Sequence, residues 1–189
     1  MSLIVAVEDG TGQEDANSYV SVADADSYFT GHVYPAAWVL PANASLKGAA
    51  LVMATRLIDS NCRFDGFRKS NLQALQWPRV RCIDREANGV VGLPCLAFGL
   101  GAMSPQYLAS DSVPQCVVSA TCEMAIELLR RDPTLDPVGF GLKSSAVSGS
   151  AFVYDKTDRR PVLPQVVVAL LSRVLISAPG MAGVRLVRV

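Results

Sequence analysis

Apolar positions along this 189-residue chain fall into a few helix-spaced runs, separated by stretches punctuated with glycine and proline. The segment SLIVAV, residues 2–7, is short, β-branched and apolar, and it stops at Asp9-Gly10, so it predicts a strand ending in a turn. Ser21 followed three residues later by Asp24 fits a helix start with an acidic side chain in the first turn, and the helix should run over about 22–30 to Gly31. Leu46, Ala50, Met53, Leu57 and Ile58 recur at helical spacing, with Asn43 or Ser45 as the cap and an end near Asn61. Asp65-Gly66 reads as a turn, and NLQALQWPR as one or two helical turns halted by Pro78. Val117, Ala120, Met124 and Leu128 form one face of a further helix, with Ser112 and Gln115 as a capping box and an end at Arg130-Arg131.

Between Val80 and Ser112 the periodicity fails, although the segment stays apolar. Structureless loops of that length are uncommon in compact domains, and an apolar one needs a surface to pack against. Beyond the linker DPTLDPVGFG, the segment LKSSAVSGSAFVYD partly alternates and predicts a strand or arm. In LPQVVVALLSRVL, Val167, Leu170, Leu171 and Val174 are helix-spaced, although the valines also suit a strand. The ending PGMAGVRLVRV reads as a hinge followed by a short apolar-basic strand. The expected fold is therefore mainly α: a small bundle of three to four helices with short β-strands, a long inserted loop and an extended C-terminal tail. Residues 1–135 form its core, with the loop at about 80–112, and residues 136–189 supply arm, helix and tail.

Composition changes this picture mainly by exclusion. Half of the residues are hydrophobic, enough for a packed core. Lys+Arg and Asp+Glu both number 17, and zero formal charge argues against general attraction to nucleic acid, leaving room only for a local basic patch. The cysteines Cys62, Cys82, Cys95, Cys116 and Cys122 form no C-x-x-C pair and read as small apolar residues of an intracellular protein. No run approaches a membrane span, and the N-terminus lacks the basic region of a signal peptide.

Candidate chemistry is sparse. Asp9, Glu14, Asp15, Asn17, Asp24 and Asp26 lie close together, but no register supplies the ligand spacing of a calcium loop, so they read as solvated acids at a turn and a helix start. GTG is followed by no lysine, His32 is the single histidine, and no G-x-S-x-G elbow occurs. No catalytic, metal or cofactor set is expected. The exception is LQWPRVRCIDR, where Trp77 beside Arg79 and Arg81 offers a stacking residue on a basic strip. The competing reading places Trp77 in the core and pairs the arginines with acids such as Asp84 and Glu86.

Four segments resemble one family in its order. VEDGTGQEDANSYVSVADADSYF, at 7–29, is similar to its opening, and LQWPR, at 75–79, to its second marker. VPQCVVSATCEMAIELL, at 113–129, looks like one of its helices, and KSSAVSGSAFVYD matches a last segment more loosely. The family comprises small phage structural proteins, often labelled DnaT-like single-stranded-DNA-binding proteins and similar to head–tail adaptors. The resemblance implies a virion neck protein, assembled in the host cytoplasm, that forms a dodecameric ring below the portal. Its partners would be its own copies, the portal protein and a stopper or tail-completion protein, with genomic double-stranded DNA passing through without sequence-specific binding.

By that resemblance the portal or neighbour contact falls on Leu163, Val167, Leu171, Val184, Leu186, Val187 and Val189. The inserted loop, longer than the family's, would add Leu96, Phe98, Leu100 and Tyr107. The alternative is a single-stranded-DNA-binding accessory protein using Trp77, Arg79 and Arg81, and the blandest reading is an interaction domain.

Overall fold

The computed structural model describes residues 3–40, 43–85, 106–135, 144–147, 150–153 and 161–178. The fold is mainly helical, as expected, with small two-stranded sheets at its edges. Three helices were anticipated in place. Helix α1, Val22–Thr30, starts at Ser21, whose hydroxyl accepts from the Asp24 amide at 3.1 Å and donates to the Asp24 carboxylate at 2.6 Å. Helix α3, Ala44–Asn61, is capped by the Asn43 side chain, which accepts from the Ser45 amide at 2.9 Å. Helix α4, Gln115–Arg130, buries Val117, Ala120 and Met124. Its cap is Pro114, with no side-chain capping bond, so the Ser112 box does not form.

A short helix α2, Ala36–Val39, interrupts the aromatic connection read from sequence. It drives Trp38 into the core, where the indole N–H donates to Asp26 at 2.7 Å and the Lys47 ammonium lies over the ring. Asp26 is solvent-exposed, as expected of an acid at the helix start, but it also has partners, since Lys47 donates to it at 2.7 Å as well.

Helix α3 is the central packing element, meeting α4 most extensively, with α1 on its other side. Its buried face is Gly48, Ala50, Leu51, Ala54, Thr55 and Ile58. Of the stripe read from sequence, Ala50 and Ile58 are buried and Leu57 packs against the core, whereas Leu46 and Met53 are exposed. A Cβ at Gly48 would meet Val5 at 2.9 Å, so the N-terminal segment lies directly on the helix.

That N-terminal segment is not the predicted strand. Only an isolated bridge joins Val7 to Ser18, and the Asn17 side chain completes the pairing by accepting from Ala6 N–H and donating to Ile4 C=O, both at 2.9 Å. NLQALQW forms no helix either. Its backbone amides go to tertiary partners: Ala74 to the Gln13 carbonyl, Gln76 to Asp59, and Trp77 to the Tyr19 hydroxyl. The Trp77–Pro78 bond is cis.

Three short strands come after α3: β1 Arg63–Phe64, β2 Phe67–Arg68 and β3 Arg79–Val80. Strands β2 and β3 pair antiparallel. Beyond α4, β4 Ser144–Val147 and β5 Ser150–Val153 form an antiparallel hairpin where a strand or arm was expected. Helix α5, Gln165–Leu171, packs on α4, and β6, Leu175–Ser177, pairs antiparallel with β1. The C-terminal helix is thereby built into the core. Leu163, Val167 and Leu171, read from sequence as portal contacts, are fully buried inside the subunit and present no outer surface. No helix among the described residues is long and apolar enough to cross a membrane.

The opening V-E-D-G-T-G loop is tied together from within. Glu8 is buried, and its carboxylate accepts from the amides of Gly10 at 2.9 Å, Gly12 at 2.8 Å and Gln13 at 2.9 Å. A buried carboxylate persists only with such bonds, so Glu8 organises the turn. Gly10 has φ +96° and sits where a Cβ would fall 1.9 Å from the Asp111 carbonyl oxygen. Gly10→Ala should lower unfolding free energy by about 2 kcal/mol or more through both strain and collision. Gly31→Ala, where the nearest atom is 3.8 Å away, should change it by no more than about 0.5 kcal/mol. Chemical denaturation of both variants checks the contrast.

Candidate nucleic-acid interface

The candidate surface is built on a buried polar junction. Tyr19 is in the core, and its hydroxyl donates to Asp59 at 2.7 Å while accepting from the amides of Gln76 at 3.1 Å and Trp77 at 3.2 Å. The other Asp59 oxygen accepts from Gln76 N–H at 2.9 Å. The junction fastens the segment before the cis proline to α1's leading loop and to α3. Burial pushes the Asp59 carboxyl up to about 6, against the opposing pull of its hydrogen bonds, and holds the Tyr19 phenol well above its ordinary range.

This junction decides the fate of the residues that sequence nominated for DNA. Trp77 is 0% exposed and packs edge-on against Phe64 with ring centroids 5.7 Å apart, so it offers no face to a base. Arg79 is 8% exposed. Its guanidinium donates to the carbonyls of Asp65 at 2.7 Å, Gly66 at 2.7 Å, Phe64 at 3.4 Å and Gln76 at 3.2 Å, and to the Gln76 side chain at 3.1 Å. Desolvation lowers its pKa, and its donors are spent on the β1–β2 connection. Asp84 pairs with Arg173 at 2.5 Å, and Glu86 lies outside the described residues.

Of the three nominated residues only Arg81 faces solvent. It is the one non-glycine residue with positive φ among those described, at 56°. Such strain is typical of positions held by their surroundings for a purpose. Gly66 makes the approach possible, because a Cβ on it would lie 2.4 Å from the Val80 carbonyl oxygen.

Arg81 lines a groove of about 570 Å³ together with Arg63, Asp65, Phe67, Arg79 and Ile176. That size falls in the roughly 300–1,000 Å³ range of ligand sites. Phe67 stands 67% exposed on β2, and Ile176 on β6 is also exposed. Neither Arg63 nor Arg81 has an ion-pair partner among the described residues. The single acid, Asp65, is occupied by the backbone amides of Gly66 at 2.9 Å and Ile83 at 3.3 Å. Two guanidinium groups, those of Arg63 and Arg81, therefore stand beside Asp65 and an exposed aromatic ring, with Arg79 bonded beneath them.

Residues 1–91 match the family model described as "Putative DnaT-like ssDNA binding protein". The matched stretch contains the whole Tyr19 junction and every groove residue except Ile176. No curated protein and no solved structure matches the chain.

Sequence reasoning missed Phe67, Arg63 and Asp65 as a set. The signal available was the pattern R-F-D-G-F-R around a turn glycine, which brings two phenylalanines and two arginines to two adjacent short strands, β1 and β2. Among the other nominated residues, Tyr107 is exposed and its backbone bridges to Ile83. Leu96, Phe98, Leu100, Val184, Leu186, Val187 and Val189 lie outside the described residues.

The junction makes stability depend on pH. A folded-state pKa raised from 3.8 to about 6 means the native protein binds the Asp59 proton more tightly than the unfolded chain. Its contribution is complete below about pH 4 and is lost as pH rises through 6, worth up to about 3 kcal/mol. Asp26 acts oppositely, because its bond from Lys47 lowers its pKa and its contribution fades as pH falls below the ordinary carboxylate range. Unfolding free energy should peak between about pH 4 and 5. In Asp59→Asn the fall between pH 4 and 7 should disappear, as urea titrations at several pH values would reveal.

Proposed function

We propose that the chain binds single-stranded nucleic acid in the groove between β1, the β2–β3 hairpin and β6. The observation that carries this reading is the exposed Phe67 ring set beside Arg63 and Arg81, neither of which has an ion-pair partner among the described residues. Single-strand binders combine an aromatic platform, on which an unstacked base lies, with cations that track the backbone. Phe67 is the platform, Arg63 and Arg81 the phosphate contacts, and Ile176 an apolar wall. Arg79 positions the β1–β2 connection from beneath. The description of the family whose model matches residues 1–91 supports the same reading. Sequence alone favoured the adaptor over this function; the family description and the Phe67 surface support the binding reading instead.

Fluorescence anisotropy with a labelled oligonucleotide tests the reading. Affinity should fall with salt, with a log–log slope of about −0.7 per phosphate contacted. Phe67→Ala should cost about 1–3 kcal/mol, and Arg63→Ala or Arg81→Ala should each make the salt slope shallower by roughly one contact. Duplex DNA of the same sequence should bind more weakly. Equal affinity for Phe67→Ala and wild type would sink the proposal.

A second reading, the head–tail adaptor of a tailed phage, is favoured by a different surface. Around α2, Val33, Tyr34, Val39 and Leu40 are all mostly exposed, a run of large apolar side chains suited to burial in an assembly. In that reading copies form a ring below the portal, meet a stopper or tail component, and let the genome pass. Replacing Val39 and Leu40 together by glutamate should leave the fold intact but yield heads without tails when the phage is grown. Normally tailed particles carrying the variant would exclude it.

A further inference from the structure

We propose that the groove reads the base it holds, and that Asp65 selects guanine by accepting from its Watson–Crick edge. The proposal rests on the single-strand reading above and names the base that the Phe67 platform takes.

Asp65 is fixed at every polar group it has. Its backbone N–H donates to the Val174 carbonyl at 3.0 Å, and its carbonyl accepts from the Arg79 guanidinium at 2.7 Å. One carboxylate oxygen accepts from the Gly66 amide at 2.9 Å and the other from the Ile83 amide at 3.3 Å. These partners come from the turn before β6, from β3, from the β1–β2 connection and from the segment after β3, so the carboxylate is braced from several sides. A recognition group held by its surroundings in this way discriminates better than a mobile one.

A carboxylate offers about four acceptor positions, two on each oxygen. The two amides take one on each, and one on each remains. Asp65 is half-buried and lines the groove together with Phe67. No lysine or arginine pairs with its carboxylate among the described residues. A carboxylate repels phosphate, so this group adds nothing to contacts with the strand's backbone. What it offers a ligand is a pair of adjacent acceptors.

Unstacked bases of a single strand are read on their edges while an aromatic ring holds their faces. Asp65 and Phe67 flank Gly66, whose φ is +72°, so the acceptor pair and the platform leave one tight turn side by side. A base lying on the ring turns its edge toward such a neighbour. Guanine alone among the four DNA bases has two adjacent donors on its Watson–Crick edge, N1–H and the N2 amino group. Adenine and cytosine set one amino donor beside a ring-nitrogen acceptor, and thymine sets one N–H between two carbonyls. Each of those edges would leave an acceptor facing a carboxylate oxygen, an unpaired and repulsive contact.

The test is fluorescence anisotropy of the full chain with labelled oligothymidylates that carry one central substitution: guanine, adenine, cytosine or hypoxanthine. A single guanine keeps the strand from folding on itself. Wild type should bind the guanine strand about fivefold or more tightly than the adenine, cytosine and unsubstituted strands, the discrimination expected of a bidentate contact. Hypoxanthine lacks the N2 amino group and should fall between guanine and adenine. In Asp65→Asn, where one acceptor becomes a donor, the ratio of guanine to thymine affinity should drop to about one. The wild-type comparison needs no variant, so it decides the matter even if Asp65→Asn fails to fold. Equal wild-type affinity for all the strands would overturn the base readout while leaving strand binding in the groove intact. An undiminished guanine preference in Asp65→Asn would overturn it as well. Failure of every strand to bind would overturn the single-strand reading itself, and this proposal with it.

Discussion

One phenol oxygen holds together the parts of this fold that come from distant stretches of chain. The Tyr19 hydroxyl donates to Asp59 on α3 and receives the amides of Gln76 and Trp77, segments 40 and 57–58 residues away. Without it, two backbone amides and a carboxylate would be left partly unsatisfied in the interior, each at a cost of about 1–3 kcal/mol. The junction also carries its own penalty, because Asp59 is desolvated far enough for its proton affinity to rise. That penalty is offset by the hydrogen bonds that Asp59 accepts from Tyr19 and from the Gln76 amide.

The junction imposes an exchange of roles among residues of similar chemistry. Trp77 and Arg79 look like a nucleic-acid reader in sequence, yet the fold consumes both as scaffold: one as a fully buried ring of the core, the other as a clamp on four carbonyls. Held from beneath in this way, the β1–β2 connection lifts Phe67 and Arg63 to the outside, and β3 leads into Arg81 at an unfavourable φ. Interior arginine and exterior arginine are thus parts of one device. Arg79 matters for the groove without offering it a free donor.

How much of this was legible in the chain depends on which force fixes each element. The start of α1 and the core face of α4 are local matters of a cap and an apolar period, and both read correctly from Ser21, Asp24, Val117, Ala120 and Met124. The face of α3 read only in part: Ala50 and Ile58 are buried as expected, but the core side also uses Gly48, Ala54 and Thr55, small residues invisible to a count of large apolar positions. NLQALQW has helical composition but gives its amides to Tyr19, Asp59 and Gln13, partners that only tertiary structure brings near. Leu163, Val167 and Leu171 illustrate the reverse error. A strongly apolar stripe near the end of a chain serves an interface or a core equally well, and here α4 and β1 were waiting to cover it. Glu8 escaped notice for the same reason as Phe67: its role is set by the three amides around it and not by its spacing.

Zero net charge, which argued against nucleic acid at the level of composition, has a different meaning once positions are known. Attraction to a polyanion at a given ionic strength is governed by charges within about 8–10 Å of the phosphate, not by the sum over the chain. The compensating acids are elsewhere or engaged: Asp26 by Lys47 and Trp38, Glu127 by Arg130 and Arg131, Asp84 by Arg173. Asp65, the one acid in the groove, is held by backbone amides. Zero net charge over the chain therefore leaves room for a local excess of arginine beside Phe67.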